Sequence, residues 1–185
     1  NSYSLKKADL ITTDGENTKK AMIELGADPQ KIKIVRFGVD TKNFKPNEEP
    51  KKKLFGEDSK VIISTKPFRP ECDLETLIRA MPIILTGIPR AKFILAGNGE
   101  QKDYLMNLAK SLKVFEAIKF IGWVSSEELP FYLNSADVYI STSLIDSGLA
   151  ASTAEAMACE LPVVISDSGD NKILIKDGEN GFLFS

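Results

Sequence analysis

Short apolar runs alternate with amphipathic stretches along the sequence from residue 60 onward. Runs of four or five apolar residues are typical of buried strands, whereas apolar positions three or four residues apart are typical of a helix with one buried face. The runs predict strands over residues 61–64, 92–96, 118–121, 137–141, 162–166 and 181–184. The amphipathic stretches predict helices over residues 74–85, 100–112, 125–133 and 152–159. Because strand and helix alternate with short loops, we expect βαβ units and a parallel sheet.

The pattern is weaker before residue 60. Residues 1–30 are interpreted as a short helical segment that precedes the main domain, with a strand-like run at 9–13 and a helix over 16–25. Residues 32–36 alternate apolar and polar side chains and predict a short strand. Residues 45–59 are charged and contain two prolines, which indicates a linker or a surface excursion.

The composition narrows the possible classes of function. The chain has 185 residues and a net charge of −2, so it lacks the basic excess typical of nucleic-acid binding. It contains no histidine, which excludes Ser-His-Asp catalysis and histidine metal sites within these residues. Cys72 and Cys159 are far apart, as expected for a reduced intracellular protein. We expect neither a membrane span nor a signal peptide.

A parallel sheet of this kind binds its ligand at the carboxyl ends of its strands. The loops that matter are therefore those after Ser64, Ala96, Ile121 and Thr142. The last of them carries the strongest candidate. Small residues over 148–152 leave the first N–H groups of a helix accessible to a phosphate.

Glu155 lies about one turn inside that same helix. A carboxylate at this position could accept two hydrogen bonds from the cis-diol of a ribose. The alternative is an alanine-rich core helix in which Glu155 is merely solvated.

The other three loops carry weaker candidates. Lys66 and Arg69 could neutralise a departing diphosphate, or could be exposed side chains of a loop. Gly97 and Gly99 permit a close backbone approach to a ligand, or form a plain turn. Trp123 and the valine that follows it could form one side of a pocket for a nucleobase, or Trp123 could pack against the rim of the domain.

Six motifs, in order along almost the whole chain, resemble those of one enzyme family. They are KIKIVRFGVDTKNFKP (31–46), FILAGNGE (93–100), IKFIGWVS (118–125), ADVYISTS (136–143), EAMACELPVV (155–164) and DGENGFL (177–183). Together they resemble the C-terminal domain of the retaining family-4 glycosyltransferases, which have the GT-B fold. The resemblance implies a Rossmann-like, three-layer α/β/α domain with a parallel sheet, one half of a GT-B fold, that binds a nucleotide-sugar.

The resemblance also implies which residues bind the donor nucleotide. These residues are Gly97, Gly99, Trp123, Val124, Gly148, Leu149, Ala150, Ala151 and Glu155. Glu155 matches the family's ribose-binding glutamate, and residues 148–151 would cover the diphosphate. Trp123 and Val124 would lie beside the base.

Four residues are implied to act at the reacting phosphate and sugar. Lys66 stands where the family usually has an arginine that contacts phosphate, and Arg69 is a nearby helper or substitute. Ser147 occupies the position of a second glutamate that the family usually has. Asp146 is adjacent, and a shift of one residue in the loop could present its carboxylate instead.

Two further departures keep other functions open. Cys72 lies near the place of a usual lysine, and Glu160 replaces a usual glycine. A catalytically degenerate subunit that only binds nucleotide or scaffolds a partner is therefore an alternative. A nucleotide-sugar epimerase shares the architecture, but it often uses histidines, and there are none here. A nicotinamide-binding domain is disfavoured because the glycine pattern after Ala96 is incomplete.

In this family the complete enzyme begins with an acceptor-binding domain. We therefore expect residues 1–30 to be a remnant of the N-terminal or interdomain region, and residues 31–185 to be the donor domain, inactive alone. The expected substrate is a UDP- or GDP-linked hexose, bound without a metal and transferred to a glycan, lipid or polysaccharide precursor. The expected location is the cytoplasm, with peripheral membrane association of the full-length enzyme possible.

Overall fold

The computed structural model describes residues 2–55 and 59–185. In chain order, the helices and strands are α1 (Ser2–Lys7), β1 (Ile11–Thr13), α2 (Glu16–Glu24), β2 (Ile32–Ile34), α3 (Glu49–Leu54), β3 (Lys60–Ser64), α4 (Leu74–Gly87), β4 (Ala91–Ala96), α5 (Lys102–Ser111), β5 (Ile118–Gly122), α6 (Leu129–Leu133), β6 (Val138–Ser141), α7 (Ala151–Ala158), β7 (Val163–Ser166), α8 (Asn171–Leu174) and β8 (Phe182–Phe184). The strands predicted after residue 60 are confirmed to within a residue or two of their bounds. The short helices α3 and α8 were not predicted.

Six of the strands form one parallel sheet in the order β5-β4-β3-β6-β7-β8. The chain moves outward from β3 to β5 on one side and from β6 to β8 on the other, so the strand order reverses between β3 and β6. In open α/β sheets a crevice forms at such a reversal, outside the carboxyl ends of the strands. The predicted Rossmann-like parallel fold is confirmed, and its topology makes the loops after β3 and β6 neighbours.

Helices cover both faces of this sheet. In β4, Phe93 and Leu95 belong to a buried cluster with α4 and α5, whereas Ile94 belongs to a second cluster with α7. A strand that is buried on both faces has apolar residues at consecutive positions, which is why residues 92–96 form a nearly continuous apolar run. The three-layer α/β/α arrangement follows from these two cores.

The first two strands form a separate unit. β1 and β2 pair in parallel as a two-stranded sheet, beside α1 and α2. Ile11, Ala27 and Ile32 form its small buried core. The strand-like run at 9–13 and the predicted strand at 32–36 are therefore confirmed, and they are partners.

The predicted linker or surface excursion over residues 45–59 is partly helical, because α3 lies within it. Residues 56–58 of that prediction lie outside the described residues. The segment is also fastened to the large sheet's layer of helices. The Asn47 backbone N–H donates to Asn134 Oδ1 at 2.7 Å, and Asn134 Nδ2 donates to the carbonyl of Lys45 at 2.9 Å.

Candidate functional site

A buried ion pair lies where the strand order reverses. Lys66 follows β3, Asp146 follows β6, and Lys66 Nζ is 3.1 Å from Asp146 Oδ1. The two side chains are only 7% and 11% exposed. Because a buried charge is costly without a partner, each group requires the other. The pair places a cation at the edge of the sheet where ligands of such folds bind.

The loop after β6 presents Asp146 inward and Ser147 outward. Besides Lys66, Asn171 Nδ2 lies 3.4 Å from Asp146 Oδ2. A Cβ atom on Gly169 would collide with the Asp146 carbonyl, so the backbone at Gly169 packs directly against this side of the loop. Ser147 is exposed, and its hydroxyl donates to Asp14 Oδ2 on the turn after β1. The carboxylate that faces the sheet edge is therefore Asp146.

The helix that follows, α7, begins without a side-chain cap. Ala150 is its N-cap residue and offers no hydrogen-bonding side chain. Within the described residues, the backbone N–H groups of Ala151 and Ser152 have no hydrogen-bond partner. The positive end of the helix dipole and these free donors together suit an anion.

Glu155 lies one turn inside α7 and is half-buried. Among the described residues, no group donates a hydrogen bond to its carboxylate. Burial raises the pKa of Glu155 above its ordinary value. The folded protein therefore holds this proton more tightly than the unfolded chain, and stability falls as the pH rises through the window between the two pKa values. An ionised Glu155 at neutral pH is a cost to folding that a ligand's hydroxyl groups could offset.

Gly97 and Gly99 let two loops of the site touch. A Cβ atom on Gly97 would collide with the Lys66 carbonyl, and one on Gly99 would collide with the Phe68 carbonyl. The Phe68 backbone N–H donates to the carbonyl of Asn98 at 3.0 Å. The close approach that these glycines permit is therefore an approach to the 66–68 loop.

A cavity of about 270 Å³ opens at the carboxyl ends of β3, β4 and β5. Its lining residues are Thr65, Pro67, Ala96, Gly97, Asn98, Trp123, Val124 and Leu129. Trp123 is 77% exposed, so it lines the mouth of this cavity and is not packed into the domain. Thr65 and Pro67 flank Lys66, so the cavity adjoins the buried ion pair.

Two other residues of the loop after β3 differ in environment. Arg69 is exposed, and its guanidinium is 4.0 Å from the carboxylate of Glu71. Cys72 is buried, and burial raises the pKa of its thiol. The Cys72 carbonyl accepts a hydrogen bond from Thr142 Oγ1 at 3.0 Å, which ties this loop to the end of β6.

Four buried oxygen atoms at the same edge have no hydrogen-bond partner among the described residues. They are Ser64 Oγ, Thr65 Oγ1, Ser168 Oγ and Asn171 Oδ1. Buried polar atoms are normally paired. These four atoms are covered by neighbouring atoms, so the edge of β3 and β7 carries unpaired polar groups that a ligand does not reach directly.

Comparison with known proteins identifies the family. The family model described as glycosyl transferases group 1 matches residues 46–185, which is more than half of the chain. The chain belongs to this family. It is 31% identical over 180 residues to an uncharacterised glycosyltransferase of Methanocaldococcus jannaschii, covering 92% of this chain and 45% of that protein.

Two relatives with named substrates are similar at the same level. A GDP-mannose-dependent phosphatidylinositol monomannoside mannosyltransferase of Mycolicibacterium smegmatis is 27% identical over 94% of this chain and 48% of its own length. A UDP-galactose-dependent galactosyltransferase of Escherichia coli is 28% identical over 94% of this chain and 46% of its own length. The chain thus spans about half the length of these relatives.

Solved structures show the same fold. The crystal structure of HepE from Anabaena in complex with UDP and glucose superposes with a TM-score of 0.87 at 24% identity, covering 98% of this chain and 50% of that one. This likeness confirms the fold of the group 1 domain.

The group 1 domain brings together some of the predicted site residues and separates others. Lys66 and Asp146 are in contact, and the predicted base residues, Trp123 and Val124, share one cavity. Glu155 takes no part in the described contacts of the ion pair and does not line that cavity.

Three residues beside the site were missed. Asp14 follows β1, and Asp170 and Asn171 follow β7. The carboxyl-end rule that selected the other loops applies equally to β1 and β7. Extending it to every predicted strand would have selected these residues.

The described part of the chain holds neither a metal-ligand cluster nor a membrane span. No group of three or more cysteine, aspartate and glutamate side chains there is arranged to hold a metal ion. No helix there has both the length and the apolar composition that crossing a bilayer requires.

Proposed function

We propose that this chain is the donor-nucleotide-binding half of a group 1 glycosyltransferase. It would hold a UDP- or GDP-linked sugar for transfer of a hexose, with retention of anomeric configuration, to an acceptor. The observation that carries the proposal is the buried pair of Lys66 and Asp146 where the strand order reverses, on the loop that leads into the uncapped amino end of α7.

The diphosphate is the part of the donor that this arrangement suits best. Lys66 supplies a cation in a water-poor site, and the N–H groups of Ala151 and Ser152 supply free donors. Fixed dipoles and charges of this kind stabilise the negative charge that develops on a departing diphosphate. Asp146 orients the Lys66 ammonium, and Arg69, which is exposed, would reach the donor only by moving from Glu71.

The nucleoside would occupy two further features. Trp123 and Val124 line a cavity that adjoins Lys66, where a base could stack on the exposed indole. Glu155 would accept hydrogen bonds from the ribose hydroxyls, and its carboxylate has no competing donor among the described residues. Since one relative uses GDP-mannose and another UDP-galactose, similarity leaves both bases as candidates.

The acceptor would be bound by a second domain. Because the chain spans about half the length of its relatives, acceptor binding and transfer belong to the longer protein. We propose residues 31–185 as the donor domain and residues 1–30 as the end of the preceding region, with the acceptor a glycan, lipid or polysaccharide precursor. We further propose that the donor binds without a resident metal, and that the whole enzyme works in the cytoplasm, at the membrane surface where its acceptor is a lipid.

Calorimetric titration with UDP, GDP and ADP tests the donor site. Glu155→Ala should weaken binding of the preferred diphosphate by about 2 kcal/mol, or about thirtyfold, through loss of hydrogen bonds to a charged acceptor. Glu160→Gly, at the other end of α7, is the matched control and should bind as the wild type does. Equal affinity for Glu155→Ala and wild type would refute the ribose role.

One observation favours a second candidate, a domain that binds nucleotide without catalysis. The side chain at the position of the family's second glutamate is Ser147, which faces solvent and donates to Asp14. An assay of sugar release from UDP- and GDP-linked donors by the full-length protein separates the two. Turnover there supports the transferase, whereas tight binding without turnover supports the second candidate.

A further inference from the structure

The amino end of α2 is capped from a distant part of the chain. Gly15 is its N-cap residue and has no side chain. The Asp170 carboxylate takes this role, since it accepts from the Glu16 N–H at 2.6 Å and from the Asn17 N–H at 3.3 Å. Asp170 is only 2% exposed. A carboxylate at a helix amino end is favoured by both hydrogen bonding and the helix dipole.

The turn that Asp170 holds packs directly on Ser147 and on Gly148, the first residue of the 148–151 segment proposed to cover the diphosphate. A Cβ atom on Gly15 would collide with the Ser147 carbonyl and lie 3.1 Å from the Gly148 Cα atom. A Cβ atom on Gly148 would lie 3.0 Å from the Asp14 carbonyl. The hydrogen bond from Ser147 to Asp14 joins the same two surfaces. The turn and the loop therefore touch through backbone.

The neighbours of Asp170 hold the other side of that loop. Gly169 lies against the Asp146 carbonyl so closely that a Cβ atom has no space, and the Asn171 amide is 3.4 Å from the Asp146 carboxylate. Residues 146–148 are thus enclosed between the 169–171 segment and the turn at 14–15.

We propose that Asp170 is a positioning residue for the donor diphosphate. By binding α2, it presses the 14–15 turn onto residues 146–148 and keeps this loop in its binding conformation before the ligand arrives. The proposal rests on the proposed function, because it assumes that the loop covers a diphosphate. Without the carboxylate, the loop is ordered only on binding, and affinity falls by that cost.

Asp170→Asn tests this in the full chain by titration with UDP and GDP, and with UMP and GMP. The loop faces the diphosphate, so we expect the variant to lose about tenfold in diphosphate affinity and distinctly less in monophosphate affinity. Hydrogen exchange of residues 144–150 should be faster in the variant. Asp167→Asn is the matched control, because this carboxylate lies in the same connection and pairs with Lys172 at 3.8 Å, near the surface.

The outcomes are distinguishable. Absence of diphosphate binding by the wild type would overturn the proposed function. Binding by the wild type, with unchanged affinity and unchanged exchange in Asp170→Asn, would overturn only the role of Asp170. An equal loss for di- and monophosphates would indicate general destabilisation and would also overturn it. Gly15→Ala is a second variant, which disturbs the same contacts from the side of the turn, because its Cβ atom would collide with both the Ser147 carbonyl and the Asp170 carboxylate. It should reproduce the selective loss.

Discussion

Replacing Lys66 with methionine, alone and together with Asp146→Asn, separates the contribution of the ion pair to stability from its role in binding. At 3.1 Å, and with an effective dielectric constant of about 20, the attraction between the Lys66 and Asp146 charges is about 5 kcal/mol. Desolvation offsets much of it, but removal of one partner leaves the other buried and uncompensated. We therefore expect Lys66→Met to lower the free energy of unfolding by about 3 kcal/mol.

The double variant Lys66→Met/Asp146→Asn removes both charges, and its free energy of unfolding should lie within about 1 kcal/mol of that of the wild type. Binding should not recover with it, because the cation proposed for the diphosphate is still absent. Urea denaturation at neutral pH measures the free energy of unfolding, and calorimetric titration with UDP and GDP measures the affinity for the diphosphate. Lys172→Met removes one partner of an exposed pair and should change neither measurably.

Two results would refute this reasoning. If the free energy of unfolding of Lys66→Met lies within about 1 kcal/mol of that of the wild type, the ion pair is not buried. If the double variant binds a diphosphate as tightly as the wild type does, Lys66 is not part of the donor site.

Two further predictions concern α7. Glu155→Gln should raise the melting temperature at pH 7, and the difference should shrink on acidification, because the ionised Glu155 carboxylate is the destabilising form. Glu160→Gly should raise the free energy of unfolding by about 1 kcal/mol, because Glu160 adopts a left-handed conformation with φ of 60° that glycine accepts without strain. Thermal unfolding at several pH values checks the first, and urea denaturation checks the second.

Each of these has a clear contrary result. A melting temperature for Glu155→Gln that is equal to or below that of the wild type at pH 7 would contradict the burial of the carboxylate. An unchanged or lower stability of Glu160→Gly would mean that the loss of chain entropy by the folded glycine outweighs the relief of strain.

The elements of the large sheet could be predicted because their signals are local. The run at 92–96 is apolar at successive positions since β4 is buried on both faces, and this pattern needs no knowledge of its neighbours. Residues 45–49 are exposed, in keeping with the predicted linker or surface excursion. The helix α3 and the hydrogen bonds to Asn134 were not predicted, because they depend on a surface that only the folded domain provides. Hydrophobic periodicity does not predict hydrogen bonds between segments that are distant in sequence.

The site was predicted in part. The rule of carboxyl ends selected the loops of Lys66 and Asp146, but it applied to four strands only, and so the segment after β7 with Asp170 was omitted. The glycines at 97 and 99 indicate either a close backbone approach to a ligand or a plain turn, and the surface they approach is the 66–68 loop. A glycine in a sequence indicates a close contact without naming the partner.

The sequence by itself determined a parallel α/β domain, the loops that meet at its functional edge and the family to which it belongs. Only the tertiary structure decided that Asp146 turns inward to Lys66 while Ser147 turns outward to Asp14, and that Asp170 caps a helix 153 residues away from it. The physical reason is that the partners of the Lys66 charge and of the first N–H groups of α2 are distant in sequence, and they become neighbours only when the sheet is assembled.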